Sequence, residues 1–169
     1  MDSAFNLRPA RTSDVAAIKR LVARLADERI LISKETVAYY ESLQEFQIAE
    51  SSEGEVIGCG ALHVMWEDLA EIRTLAAADS WRGKGVGHRL VESLVEKARE
   101  LGVSRVFCLT FEVDFFVRHG FEVMADQSAV DPEVYSELLR SHDEGVAEFL
   151  DLARVKPNTL GNTRMIKHL

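Results

Sequence analysis

The chain has 169 residues, 47% hydrophobic and 28% charged, which suits one compact globular domain and argues against disorder. Its formal net charge of -8 argues against non-specific nucleic-acid binding by the whole surface, because phosphate binding needs clustered lysine and arginine. Neither the two cysteines, Cys59 and Cys108, nor the five histidines have metal-ligand spacing, so we expect buried reduced thiols and no metal site.

The first half of the chain predicts a strand, two helices and three further strands. Alternating apolar residues from Phe5 to Pro9 indicate a short edge strand. Apolar residues recur at helical spacing from Val15 to Leu25, with Thr12 or Ser13 as the cap, and a second short helix is expected after Ser33. An antiparallel meander follows, with strands from Phe46 to Ala49, Val56 to Met65 and Leu69 to Ala77, and a turn around Gly54.

The second half begins with the strongest helical pattern, from Val86 to Leu101, which has a continuous apolar face and ends before Gly102. Further elements are expected as a strand from Val106 to Leu109, a helix from Asp114 to His119, a strand from Phe121 to Met124 and a helix from Pro132 to Arg140. The acidic tract from Asp143 to Asp151 is interpreted as a solvated face, and one or two strands are expected between Glu148 and Leu169. The order of elements predicts an α+β domain with a mainly antiparallel sheet.

The loop between the third meander strand and the long helix carries the sharpest local signal. It reads Arg82-Gly83-Lys84-Gly85-Val86-Gly87, followed by His88. Glycines let the backbone approach an anion, and the free N–H groups and the positive dipole end of the helix attract one. The loop is not a P-loop, because no Gly-Lys-Ser/Thr ends it, and its spacing differs from the dinucleotide-binding fingerprint. The segment Trp81 to His88 therefore predicts a pyrophosphate site, although such a turn can also be simple punctuation before a helix.

Three motifs in order resemble the GNAT acetyltransferase superfamily. The loop is similar to the superfamily's Arg/Gln-x-x-Gly-x-Gly/Ala motif. The segment Glu71 to Ala76 resembles the splayed central strand of the superfamily, and the segment Phe115 to Phe121 resembles its Phe-Tyr-x-x-x-Gly-Phe ending. The resemblance implies the GNAT fold, with a mixed, mainly antiparallel sheet splayed at the central strand, and acetyl-CoA as co-substrate. It places the cofactor against Thr74, Leu75, Ala76, Arg82, Gly83, Lys84, Gly85, Val86, Gly87, His88 and Phe116.

Nearly the whole chain is also similar to the acetyltransferase part of bacterial N-acetylglutamate synthases, in a short stand-alone form. The residues that carry this similarity are Glu45-Phe46, Gly58 to Leu62, Ala70 to Ala76, Arg105 to Thr110, Phe115 to Phe121 and Asn162 to Met165. The similarity implies transfer of acetyl from acetyl-CoA to the α-amine of L-glutamate, or also of L-glutamine, as the first step of arginine biosynthesis. The amino-acid-kinase-like domain common in that family is not expected here.

The proposed chemistry needs a base for the amine and a donor for the leaving thiolate. Glu71, in an apolar strand beside the loop, is the candidate base, and the resemblance places a glutamate with this role there; a pair with Arg73 is the alternative. Phe116 replaces the tyrosine that many relatives use as the acid. Thr110 lies where the synthases carry a hydroxyl, so it is the candidate donor, or else it caps the following loop.

The acceptor's carboxylates need cations. Arg73, Lys156 and Arg164 are the candidate substrate-binding residues, because a guanidinium binds a carboxylate bidentately. Leu109, together with Phe46, is expected to line the pocket.

Two other functions stay open: acetylation of another small or protein amine, and acetyl-CoA binding without turnover. No signal peptide or membrane span is visible, so a cytoplasmic protein is expected, with small-molecule partners, no nucleic acid and no membrane. A homodimer is compatible with the sequence but not specified by it.

Overall fold

A computed structural model describes residues 4–27, 34–125, 131–152 and 162–169. The strands are β1 Phe5–Pro9, β2 Phe46–Ser51, β3 Val56–Trp66, β4 Leu69–Ala77, β5 Arg105–Thr110, β6 Glu122–Val123 and β7 Thr163–His168. The helices are α1 Val15–Asp27, α2 Thr36–Glu41, α3 Val86–Glu100, α4 Val113–Val117, α5 Pro132–Leu138 and α6 Glu144–Phe149. The strand order is β1-β2-β3-β4-β5-β7-β6.

The chain divides into two compact units, and strands β3 and β4 each contribute residues to both. Unit 1 comprises residues 1–63 and 72–101. Its strands β1, β2 and β3 are antiparallel, with Leu7 opposite Ala49 and Ile48 opposite Cys59. Helix α3 buries the apolar stripe that its sequence predicts, with Leu90 and Leu94 fully enclosed.

Unit 2 comprises residues 64–71 and 102–169. The first three residues of β4 pair in parallel with β5, from Leu69 opposite Arg105 to Glu71 opposite Phe107. Strand β7 is antiparallel to both β5 and β6. One apolar cluster joins these strands to α5 and α6, and its members include Leu69, Phe107, Leu138, Phe149 and Ile166.

Most predicted elements are confirmed, and the ends of helices account for several differences. Neither Thr12 nor Ser13 caps α1: both lie in a 3-10 turn, where the Asp14 carboxylate accepts the backbone N–H of Arg11 at 2.7 Å. Leu101, expected on the apolar face of α3, is 55% exposed because the helix ends at Glu100.

The largest difference concerns the acidic tract, where α6 replaces the solvated face. Asp143 caps α6 by accepting the Val146 N–H at 3.1 Å, and residues 145–150 are all buried. The apolar residues of the tract pack against β5 and β7. The prediction of a solvated face was wrong because it followed the acidic residues and not the apolar ones between them. In the described part of the chain, no helix is long and apolar enough to cross a membrane.

Candidate active site

The predicted phosphate loop has the backbone of an anion site. Gly83 and Gly85 have φ values of 78° and 82°, in the left-handed region that favours glycine. Gly85 is the N-cap residue of α3, and no side chain among the described residues caps that helix. A Cβ built on either glycine would meet no described heavy atom within 4 Å. The space beside Gly83 and Gly85 is thus open, and the 15-residue helix that follows starts without a side-chain cap among the described residues, an arrangement that suits an anion.

The loop's two cations lie at the surface. The Arg82 guanidinium is 3.3 Å from the Asp79 carboxylate, and its side chain is 78% exposed. The Lys84 ammonium lies 4.8 Å from the centre of the Trp81 ring. Exposed side chains of this kind can turn toward a bound diphosphate without losing a buried partner, so the geometry fits their predicted role.

Two contacts that the sequence prediction missed hold the loop and α3 in position. A Cβ on Gly58 would lie 2.6 Å from Val86 Cγ1 and 3.2 Å from the Ala76 carbonyl oxygen, so only glycine lets β3 lie this close to the first turn of α3. Arg24 of α1 binds the Asp79 carboxylate at 2.9 Å and the Ala77 carbonyl at 3.3 Å. A glycine inside a strand was the available signal for the first contact.

Strand β4 carries a backbone distortion at Thr74. This residue has a φ of 56° although it is β-branched and buried, a conformation that stores about 1–3 kcal/mol of strain. The buried Cys59 thiol donates to the Thr74 carbonyl at 3.4 Å, and burial raises the pKa of that thiol to about 12. The backbone of β4 is thus distorted where the cofactor residues Thr74, Leu75 and Ala76 are predicted, and Arg73 beside them is half-buried.

Three predicted site residues share one face of the sheet in unit 2. Glu71 is opposite Phe107, and Leu109, two residues further along β5, is opposite Arg164 of β7. Strand alternation places these side chains on the side of the sheet that α6 covers. Glu71 is 7% exposed. Because alternate residues point to opposite sides, Thr110 lies on the other face.

Arg164 is engaged mainly with the backbone. Its Nε donates to the Glu148 carbonyl at 2.7 Å and its Nη2 donates to the Phe149 carbonyl, which places the guanidinium at the carboxyl end of α6. The remaining Nη1 is buried without a hydrogen-bond partner among the described residues. Arg164 therefore offers a substrate carboxylate one nitrogen rather than the bidentate clamp that the sequence suggested.

Glu148 is the buried acid that the sequence prediction missed. The residue is 6% exposed and lies at the carboxyl end of α6, where a solvated residue was expected. Burial, together with the charges of Glu71 and Glu144, raises the pKa of Glu148 to about 7. An acid in the apolar run Val146 to Leu150 was the available signal.

The other predicted residues have clear positions. The Thr110 hydroxyl accepts the Glu112 N–H at 2.7 Å, which leaves its proton available for donation. Phe116 is buried and packs edge-on against Phe115 and Phe121, at centroid distances of 5.1 and 5.2 Å. Lys156 lies outside the described residues. Within the described ranges, no group of three or more acidic, cysteine or histidine side chains could hold a metal ion.

Comparisons with known proteins give a consistent result. The sequence model of the acetyltransferase (GNAT) family matches residues 17–121. An amino-acid acetyltransferase of Mycobacterium tuberculosis is 54% identical over 162 residues, which span 95% of this chain and 92% of that protein. A crystal structure from the same organism, in complex with CoA, superimposes with a TM-score of 0.92 at 53% identity, covering 97% of this chain and 99% of the other. An amino-acid acetyltransferase of Neisseria meningitidis is 31% identical over 72% of this chain and 28% of its own length.

Proposed function

We propose, from the premise that this chain belongs to the acetyltransferase (GNAT) family, that it transfers acetyl from acetyl-CoA to the α-amine of L-glutamate, with L-glutamine as a further acceptor. The predicted GNAT fold is confirmed by the 0.92 superposition. The relative at 54% identity, covered over 92% of its length, is an amino-acid acetyltransferase and supports an amino-acid acceptor. The function fits the first step of arginine biosynthesis.

Three features that follow one another along one stretch of chain carry the proposal: a buried carboxylate, a strand residue with a left-handed backbone and a helix start without a side-chain cap. Glu71, Thr74 and Gly85 mark these features within fifteen residues. The first N–H groups of α3 bind the diphosphate, with Arg82 and Lys84 adding positive charge. The distorted backbone of β4 would then run beside the pantetheine arm, where its N–H groups stabilise the developing oxyanion.

The reaction needs two proton movements. An α-amino group has a pKa near 8 and is mostly an ammonium ion at neutral pH, so Glu71 removes one proton before attack, directly or through water. The nitrogen then forms a bond with the thioester carbon, and the C–S bond breaks with its electron pair passing to sulfur. Thr110, which lies on the sheet face opposite Glu71, is the proposed donor to that sulfur. It gives up its hydroxyl proton and regains, by way of solvent, the proton that the nitrogen loses; its oxygen already accepts the Glu112 N–H. The products are the N-acetyl amino acid, CoA and one released proton.

The acceptor's carboxylates need cations, and two arginines are the candidates within the described residues. Arg73 provides the guanidinium nearest to Glu71 along the chain, and Arg164 contributes its single remaining nitrogen. A cationic acceptor such as a polyamine would meet these positive groups unfavourably. An anionic amino acid is therefore the better match.

The test measures CoA release with L-glutamate, L-glutamine and a polyamine. We expect saturable release with the amino acids, and a fall in kcat of about 10²-fold or more for Glu71→Gln, as is typical for loss of a general base. Glu67→Gln is the matched control, because Glu67 is exposed four residues earlier and should leave kcat unchanged. Turnover of the polyamine but of neither amino acid would refute the proposed acceptor.

A further inference from the structure

An arginine of α1 and an arginine of the phosphate loop share one carboxylate. Asp79 begins the 3-10 turn that leads into the loop, and its side chain is 58% exposed. Its Oδ1 accepts from Arg24 Nη1 at 2.9 Å and from Arg82 Nη2 at 3.3 Å. All three residues belong to unit 1. Two guanidinium groups therefore compete for the same oxygen, and one of them is a predicted ligand of the diphosphate.

The geometry favours Arg24 in this competition. Its contact with Asp79 is the shorter of the two, and its side chain is 30% exposed whereas that of Arg82 is 78% exposed. Arg24 Nη2 also donates to the Ala77 carbonyl at 3.3 Å, so the guanidinium is fixed at two points. The Arg82 pair is screened by water and has to hold a long, exposed side chain in one conformation, so it is weak. Asp79 is thus neutralised mainly by Arg24.

This neutralisation bears directly on diphosphate binding. With Arg24 in place, Arg82 can leave Asp79 for the diphosphate without uncovering an unpaired carboxylate. Without Arg24, Asp79 would hold Arg82 more firmly, and the diphosphate would have to break that pair. The uncovered carboxylate would also repel the diphosphate, because exposed charges of one loop act on each other within a Debye length of about 8–10 Å at ordinary ionic strength.

We propose that Arg24 is a positioning residue for the acetyl-CoA site: by neutralising Asp79, it leaves the Arg82 guanidinium available to the diphosphate. This inference rests on the diphosphate site of the proposed function. In this role Arg24 acts through Asp79 and not on the reacting atoms. The glycine-rich motif does not reveal the role, because Arg24 lies in α1 and three strands separate it from the loop.

Removal of Arg24 should weaken cofactor binding only while residue 79 is charged. We expect Arg24→Met to raise the Kd for CoA and the KM for acetyl-CoA about threefold to fivefold, the size typical of one exposed ion pair. In an Asp79→Asn background the same change should have little effect, because no carboxylate is left to capture Arg82. The difference between Arg24→Met and the wild type should vanish at about 1 M salt, where the Debye length is about 3 Å.

The experiment measures CoA binding by titration calorimetry, and acetyl-CoA kinetics at saturating L-glutamate, in the wild type, both single variants and the double variant. Arg99→Met is the matched control. Arg99 is 50% exposed and pairs with Glu96 at 3.4 Å, but it lies thirteen residues after Val86, about 20 Å along α3. This control removes the same charge from the same unit, and its Kd and KM should equal those of the wild type.

The four-protein cycle separates the inference from its alternatives. An equal loss from Arg24→Met in both backgrounds would show that Arg24 acts independently of Asp79, and an unchanged Kd in Arg24→Met would show no part in binding; either result overturns the inference. If Arg24→Met is poorly folded, Asp79→Asn alone still decides, because its Kd should equal or fall below the wild-type value. A raised Kd there would show that Asp79 holds Arg82 in its binding position, which also overturns the inference.

Failure of the proposed function has a different signature. Wild-type protein that binds CoA with the expected cycle, but acetylates neither L-glutamate nor L-glutamine, would contradict the proposed acceptor and leave the role of Arg24 supported. Turnover of an amino acid with an additive cycle would do the reverse.

Discussion

Replacing Gly85 with alanine separates the function of the phosphate loop from its contribution to stability. Gly85 has a φ of 82° and begins α3, and the space around a Cβ at this position is open. Gly102 follows the other end of α3 with a φ of 86°, and a Cβ there is equally free of contacts. Gly102→Ala is therefore a matched control that imposes the same left-handed strain away from the loop.

The loss of stability and the loss of acetyl-CoA binding should have different magnitudes. A Cβ in the left-handed region is unfavourable by about 1–2 kcal/mol, so both variants should lose similar stability. For a chain of this size that loss corresponds to a fall in Tm of roughly 2–8 °C. Only in Gly85→Ala does the methyl group enter the space proposed for the diphosphate. Losing one charge-assisted hydrogen bond there, at about 1.5–3 kcal/mol, should raise the KM for acetyl-CoA about 10- to 100-fold.

The assay compares thermal unfolding and steady-state kinetics of the two variants at saturating amino acid. We expect both proteins to unfold at similarly lowered temperatures, with the KM for acetyl-CoA raised in Gly85→Ala alone. A normal KM in Gly85→Ala would refute the diphosphate site, because the strain is shared and only the steric effect is specific. An equal rise in both variants would show that strain, rather than steric exclusion, governs the binding.

Three further perturbations test the scaffold. Gly58→Ala should destabilise the protein by about 1–3 kcal/mol in urea unfolding, through its 2.6 Å approach to Val86 Cγ1, and a double-mutant cycle with Val86→Ala should recover part of the loss. Asp14→Asn should destabilise the protein by about 1–3 kcal/mol at pH 7, because the hydrogen-bonded Arg8 guanidinium lowers the pKa of Asp14 in the folded state. The stabilisation by the ionised Asp14 is present above the unfolded pKa, near 4, and is lost as the pH falls below that value. Urea unfolding of the variant and of the wild type should therefore give converging stabilities in acid. Arg164→Met should speed hydrogen exchange in α6, because it leaves two carbonyls at the helix end without their donor, and unchanged exchange would contradict that role.

Local sequence chemistry determined most of the elements and the phosphate loop. The period of apolar residues in α3 predicts which face is buried, because 3.6 residues per turn align them whatever the helix packs against. The glycines at positions 83 and 85 predict left-handed turns before that helix, since the missing Cβ is a property of the residue itself. Family resemblance added the reaction and the base candidate, and the family is confirmed by the comparisons.

Tertiary structure decided what no local pattern could specify. Glu148 lies in an acidic tract typical of a solvated surface, but α6 packs into an apolar cluster and the residue is buried, and this burial raises its pKa to about 7. The sequence did not decide whether Arg164 binds a substrate carboxylate or the protein backbone. In the folded chain, two of its nitrogens donate to carbonyls at the carboxyl end of α6. The protonation state and the partners of a charged side chain depend on groups that are distant in sequence. The turn that a glycine permits and the face that a helix buries depend on a few neighbouring residues.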